Sequence, residues 1–372
     1  MRNVSGMMLH NFINKAKRFL SAVILFCLIL MMLTDCGAFS ESNPMKIWVW
    51  MYPDKSLTQE DWKNRFAYLD ELSVSGVLIG ADTLVLKRVV PEAEKYDMEV
   101  HAWFWTMNRH DADSTWLSIN RLGNSLAQQQ AYVGYYKFMC PALPEVKSFI
   151  KDKMNALLQI EGLSGIHMDY IRYVDAILPV GLQPKYDLNQ DRVFPEFDYG
   201  YHPFMRQKYF EKTGIDPVDI DDESNPDWLQ FRLDELNQTV HELRDYIHQS
   251  GKKVSAAVFP SPDMSREMVR QEWNKWDLDA YFPMVYHNFY EKDIFWISIV
   301  MKENRAAMHV GTEIYCGLYL PALRVGNNLT KTIEAAKEGG ADGVALFEFA
   351  AIDDEMARQL TNDKKEKDIL LA

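Results

Sequence analysis

Cysteine is scarce, with four in 372 residues. Cys27 and Cys36 fall near the N-terminus, which leaves Cys140 and Cys316 far apart in the chain. Two isolated cysteines make neither a disulfide framework nor a zinc site, and both read as buried thiols. Positive charge is also short: 40 Lys and Arg stand against 53 Asp and Glu, a formal net charge of -13. Sequence-independent binding to nucleic acid needs clustered cations, so that class is excluded. Beyond the first 35 residues no apolar run is long enough to span a bilayer. No glycine-rich phosphate loop follows the first strand, which removes the main support for a dinucleotide fold. There is no G-x-S-x-G nucleophile elbow, no HExxH and no His-x-His pair on the first strand. His101, His167, Asp169, His287 and His309 are scattered without metal-ligand spacing, so no metal and no cofactor is expected.

What is present is an ordinary globular composition, 48% hydrophobic and 25% charged, which excludes global disorder. The aromatic share of 13%, with 10 Trp and 18 Tyr, is high. Aromatics fill cores, and they also line sugar-binding clefts.

The N-terminus has the pattern of an export signal. Arg2, Lys15, Lys17 and Arg18 precede an almost unbroken apolar run from Phe19 to Leu33, too short for a comfortable membrane span. Leu33-Thr34-Asp35-Cys36 resembles a bacterial lipobox, in which Cys36 is acylated after cleavage, although Asp35 stands where a small residue is usual. Residues 1–35 are therefore expected to be a signal of lipoprotein type, and the mature chain a membrane-anchored lipoprotein of the bacterial cell envelope, periplasmic or at the cell surface, with plain secretion or an uncleaved anchor as the alternatives. A barrel is expected over residues 45–355 and a polar tail over 356–372.

From Met45 onward, short apolar runs alternate with amphipathic segments. The pattern predicts strands over Lys46–Tyr52, Gly76–Gly80, Glu99–Met107, Gly165–Tyr173, Lys253–Phe259, Leu278–Tyr286, Val310–Tyr319 and Gly343–Phe349. Helices are predicted over Thr58–Leu72, Lys87–Tyr96, Pro144–Ile160, Asp227–Ser250, with Asp227 as N-cap, and Asn327–Glu338. Eight strands separated by helices predict an α/β fold, a (β/α)8 TIM barrel, with a long insertion after strand four over Asp175–Pro226. An open doubly wound sheet is the alternative.

In such a barrel the chemistry lies at the C-terminal strand ends. Period two puts His167 and Asp169 on one face of strand four, with Arg172 close behind. A buried Asp costs several kcal/mol unless paired, so Asp169 is either functional or tied to Arg172. Glu348, between Phe347 and Phe349, and Glu313 on strand seven are candidate proton donors, because an apolar setting raises a carboxyl pKa. The bland reading of each is an outward-facing or ion-paired Glu. Asp263 is a weaker candidate that could simply cap the next helix. Trp48 and Trp50, Trp103 and Trp105, and Tyr286, His287 and Asn288 mark further strand ends, with sugar-stacking and core packing both open to them.

Five segments in order resemble glycoside hydrolase-like family 10: Glu99–Phe104 (EVHAWF), Pro141–Ile150 (PALPEVKSFI), Gly165–Tyr173 (GIHMDYIRY), the DW-led stretch Asp227–Val258, and Trp276–Tyr286 (WDLDAYFPMVY). GIHMDYIRY is the most specific of them. The resemblance covers about Lys46 to Ile352 and implies an exported glycosidase barrel acting on a glycan, with Asp169 at the family's strand-four acid and His167 matching as well. The chain departs from the family in Tyr170, where many members carry a second Asp, in Met284-Val285, where a Pro-Gln pair is frequent, and in Glu348, where a small polar residue is usual. The acid/base partner of Asp169 is therefore not inherited from the resemblance. The expected function is hydrolysis of O-glycosidic bonds by two carboxylates, Asp169 as nucleophile or base and Glu313 or Glu348 as proton donor, with His167, Arg172, Trp50, Trp103, Trp105, Tyr286, His287 and Asn288 contacting substrate. The alternative is a glycan-binding lipoprotein without catalysis.

Overall fold

The computed structural model describes residues 45–222 and 225–361. The export segment, Cys36 and residues 362–372 lie outside the described residues. Eight parallel strands close into a barrel in chain order: β1 Lys46–Met51, β2 Val74–Gly80, β3 Glu99–Trp105, β4 Gly165–Asp169, β5 Lys253–Val258, β6 Ala280–Pro283, β7 Glu313–Tyr319 and β8 Gly343–Phe347. β8 pairs with β1 from Lys46↔Gly343 to Val49↔Leu346, which closes the ring. The expected (β/α)8 architecture is the one observed.

The helices are α1 Gln59–Glu71, α2 Thr83–Ala93, α3 Pro144–Leu158, α4 Pro203–Thr213, α5 Pro226–His248, α6 Pro262–Val269, α7 Phe295–Ala307 and α8 Asn328–Glu338. Their ends follow local chemistry. Thr58 and Asp61 form a capping box at α1, satisfying orphan amides reciprocally while Trp62, Phe66 and Leu69 turn inward. Pro226 opens α5, and the N-cap is Asn225, whose side chain accepts from the amides of Asp227 and Trp228, not Asp227 as the sequence pattern predicts. At α6 the N-cap is Ser261, so Asp263 lies inside the first turn. The helices α4, α6 and α7 were not apparent in the sequence pattern. Residues 354–361 are also helical, with Met356 and Leu360 buried one turn apart, so the expected tail does not begin at 356.

Alternation along the strands divides the core. Outward-facing residues such as Val49, Val77, Ile79, Ile166 and Met168 pack against the helices. Inward-facing Trp48, Trp50, Leu78, Trp103, Phe282 and Tyr315 fill the barrel, with Ala257, Ala280 and Ala345 making room for them. Gly76 is required here, because a Cβ at that position would lie 2.6 Å from the Trp48 ring. Cys140 and Cys316 are free and buried, and burial pushes the Cys140 thiol up to about 12.

Two connections rise over the C-terminal strand ends, residues 106–143 after β3 and 170–225 after β4. The second is anchored by a buried ion cluster. Asp198 accepts from Arg232 Nη1 of α5 at 2.5 Å, from Arg270 Nη2 at 3.1 Å and from Tyr201 Oη at 2.8 Å. Burial opposes its charge, but the two guanidinium groups prevail and hold Asp198 below the usual carboxylate range. The stability this supplies is present above the ordinary Asp range and is lost as pH falls through the depressed pKa. Asp198→Asn leaves two buried cations without their partner and is expected to cost about 3–5 kcal/mol at neutral pH. Urea denaturation against wild type measures it, with the deficit shrinking in acid.

Candidate active site

The strand ends of β1, β3, β4, β5, β6, β7 and β8 converge on a cavity of about 220 Å3. Its wall is mostly aromatic: Tyr52, Trp103, Trp105, Tyr170, Phe259, Tyr286, Tyr319 and Phe347 from or beside the strands, and Tyr135 and Tyr136 from the β3–α3 connection. The two carboxyl groups among the lining residues are Asp169 and Asp175.

Asp169 ends β4. Oδ2 accepts from Trp103 Nε1 at 2.8 Å, and Oδ1 from the amide of Tyr170 at 2.6 Å. Tyr170 takes φ +49°, and this left-handed residue ends the strand short of the predicted Tyr173. Burial raises the Asp169 pKa more than the hydrogen bonds from Trp103 and Tyr170 and the charge of Arg172 lower it. A carboxyl held so retains its proton to higher pH than an exposed Asp, which is what a proton donor needs.

Arg172 is buried in the same wall. It lies over the rings of Tyr136, Phe138, Tyr170 and Phe259, with its carbon 5.0–5.8 Å from their centres. It pairs with Asp175 at 3.4 Å and donates to the Tyr173 carbonyl at 2.8 Å. Asp175 Oδ2 also accepts from Tyr136 Oη at 2.5 Å. The phenols of Tyr170, Tyr286 and Tyr290 are pushed above their ordinary range by burial, those of Tyr170 and Tyr286 also by Asp169. They are neutral and can donate to sugar oxygens.

Of the sequence-predicted residues, Asp169, Arg172, Trp103, Trp105 and Tyr286 are brought together in this cavity. Six others are placed elsewhere. Trp50 is 1% exposed and belongs to the barrel filling. His167 lies one layer below the floor. Its Nδ1 is 2.9 Å from Ser255 Oγ, which also meets His101 Nδ1 at 2.8 Å. Burial drives His167 well below its usual pKa, and a single hydroxyl proton can serve only one of the two rings, so at least one imidazole carries its proton on Nδ1 and donates to Ser255 Oγ. His287 and Asn288 open a 3-10 turn, His287–Tyr290, and do not line the cavity, whereas Phe289 and Tyr290 of that turn do. Glu313 begins β7, so its strand carries it to the opposite end of the barrel, about 20 Å from Tyr319. There it pairs with Lys46 at 2.6 Å. Glu348 is at the correct end, but it follows a cis Phe347–Glu348 peptide and faces a neighbouring cavity toward α1.

Sequence reasoning missed Tyr52, Asp175 and the Tyr135–Tyr136 pair. The run AYVGYY over 131–136 was the available signal for the last two, an aromatic cluster in a connection without periodicity.

Residues 62–331 match a family described as glycosyl hydrolase-like 10. No curated protein sequence matches the chain. Among solved structures, the catalytic domain of β-amylase from Paenibacillus polymyxa is similar at TM-score 0.57 and 10% identity, covering 88% of this chain and 99% of that one. A class V chitinase from Pseudomonas fluorescens Pf-5 is similar at TM-score 0.50 and 8% identity, covering 86% and 99%. At these identities the likeness is one of fold.

Trp103→Phe removes the donor to Asp169 while keeping an aromatic ring. The Asp169 carboxyl is expected to titrate at higher pH than in wild type, as followed by carboxyl carbon NMR with Asp169→Asn identifying the signal.

Proposed function

We propose that this chain, which belongs to the glycosyl hydrolase-like 10 family, is a glycoside hydrolase that cleaves O-glycosidic bonds of a polysaccharide or cell-wall glycan. The observation that carries this reading is Asp169, a carboxyl whose pKa burial raises, at the end of β4 in the floor of an aromatic cavity. Sugar rings stack on Trp and Tyr faces, and the phenols supply hydrogen bonds to hydroxyls.

In the proposed mechanism Asp169 gives its proton to the glycosidic oxygen as the bond to the anomeric carbon breaks. Asp175, a carboxylate in the same wall, takes a proton from the attacking water, and Arg172 beside it stabilises the charge before transfer. Glu313 has no part in it, and Glu348 is not needed for it. In the same reading residues 1–35 direct export and Cys36 carries a lipid that holds the enzyme at the cell envelope.

One observation favours the second reading, a glycan-binding protein without catalysis: Arg172 and Tyr136 already occupy Asp175 Oδ2. A reducing-end assay on plant, chitin-type and cell-wall glycans separates the two. Hydrolysis is expected in wild type, with kcat lower by about 10²–10⁴ in Asp169→Asn, the range of a positioned acid, and clearly lower in Asp175→Asn. Glu313→Gln is expected to match wild type. Activity that survives intact in Asp169→Asn refutes the mechanism, and binding without hydrolysis establishes the second reading.

A further inference from the structure

A second cavity of about 210 Å3 lies beside the first, bounded by Met51, Tyr52, Asp54, Arg65, Glu348 and Phe349. Tyr52 stands in the walls of both. Its ring is 51% exposed and leans on Trp103 at 5.1 Å between centres, so it forms the partition between two spaces of nearly equal volume.

The polar groups of the second cavity are unusually free. The Arg65 guanidinium is held against the rings of Trp62 and Phe349, with its carbon 4.9 and 4.8 Å from their centres. Its hydrogen bond is a long one of 3.8 Å to Met51 Sδ, a weak acceptor. The Glu348 carboxyl has no hydrogen-bond or ion-pair partner among the described residues, although burial penalises its charge. Asp54, by contrast, is engaged by the amide and hydroxyl of Ser56 at 2.9 and 2.6 Å. A cation and a carboxylate thus face one cavity without pairing, the cation being stacked on two rings and drawn electrostatically to Asp54 and Asp61. A group that accepts from Arg65 and donates to Glu348 satisfies both at once. Sugar hydroxyls do both, since each is donor and acceptor. A ring bearing a carboxylate would meet Asp54 and Glu348 and is disfavoured.

We propose that this second cavity is a sugar subsite, taking a neutral ring of the same glycan next to the one held over Asp169, with Tyr52 between the two rings and Arg65 and Glu348 gripping hydroxyls of the second. The inference rests on the glycan reading of the main cavity, but not on catalysis there. It gives Glu348 a binding role in place of proton donation.

The test is isothermal titration of cello- and chito-oligosaccharides of increasing length, run in an Asp169→Asn background to prevent turnover. A step in affinity of about ten- to a hundredfold is expected when the chain becomes long enough to reach the second cavity, the worth of hydrogen bonds to charged groups. Arg65→Met and Glu348→Gln, each checked by thermal melting, are expected to abolish that step. Glu348→Gln, a near isostere, carries the test if Arg65→Met melts early. A step that persists in full in either folded variant overturns the inference. A protein that binds no oligosaccharide of either series overturns it together with the glycan reading. A step that appears while wild type cleaves nothing refutes hydrolysis and leaves the subsite standing.

Discussion

The hydrogen bond from Trp103 Nε1 to Asp169 Oδ2 ties the paired neighbours β3 and β4 together at the barrel mouth. A carboxyl in so apolar a setting costs several kcal/mol when charged and without partners. Two donors, the indole and the Tyr170 amide, offset part of that cost and fix both oxygens. The Tyr170 amide reaches Oδ1 from a left-handed backbone, at about 1 kcal/mol for a residue with a Cβ. The balance left over raises the Asp169 pKa above that of an exposed Asp.

The layer beneath explains why that floor is rigid. Trp48, Trp50, Phe282 and Tyr315 fill the barrel in edge and tilted contacts of 4.8–5.9 Å, with Gly76 and three alanines giving them room. Below Asp169, His101, Ser255 and His167 form a neutral polar link between three strands. The high aromatic content therefore has three destinations, the layer between helices and barrel, the barrel filling and the cavity wall, and for the rings on strands the strand position decides among them. Trp50 and Trp103 are equally apolar in the sequence, yet one packs the interior and the other meets a carboxylate.

The barrel was legible because its signals are local. Period-two runs bounded by Gly and Pro, alternating with stripes such as Trp62, Phe66 and Leu69, need no tertiary information to be recognised. Helix α6 escaped because eight residues make a weak stripe, and α4 because it sits within a polar, Pro-rich connection. Among the site residues, Asp169 was legible from its position after a buried strand. Glu313 misled because strand seven was drawn without fixing which of its ends bears the residue. His167 misled because period two identifies a face but not a layer, and in a closed barrel the layers separate core from cavity. Asp175, Tyr135 and Tyr136 lie in connections with no periodicity to read.

The sequence by itself determined the alternation of eight strands with helices, the scarcity of cysteine and cation that excludes whole classes of function, and an Asp at the end of strand four. These depend on neighbours within a few residues of one another. Only the tertiary structure decided which carboxyls share a cavity. Asp169 and Asp175 line one wall because the β4 connection folds back over the mouth, clamped by Asp198 between Arg232 and Arg270. Glu348 looks into a second cavity, and Glu313 lies at the far end of its strand beside Lys46. Closure of β8 onto β1 sets those distances, and no pattern along the chain encodes them.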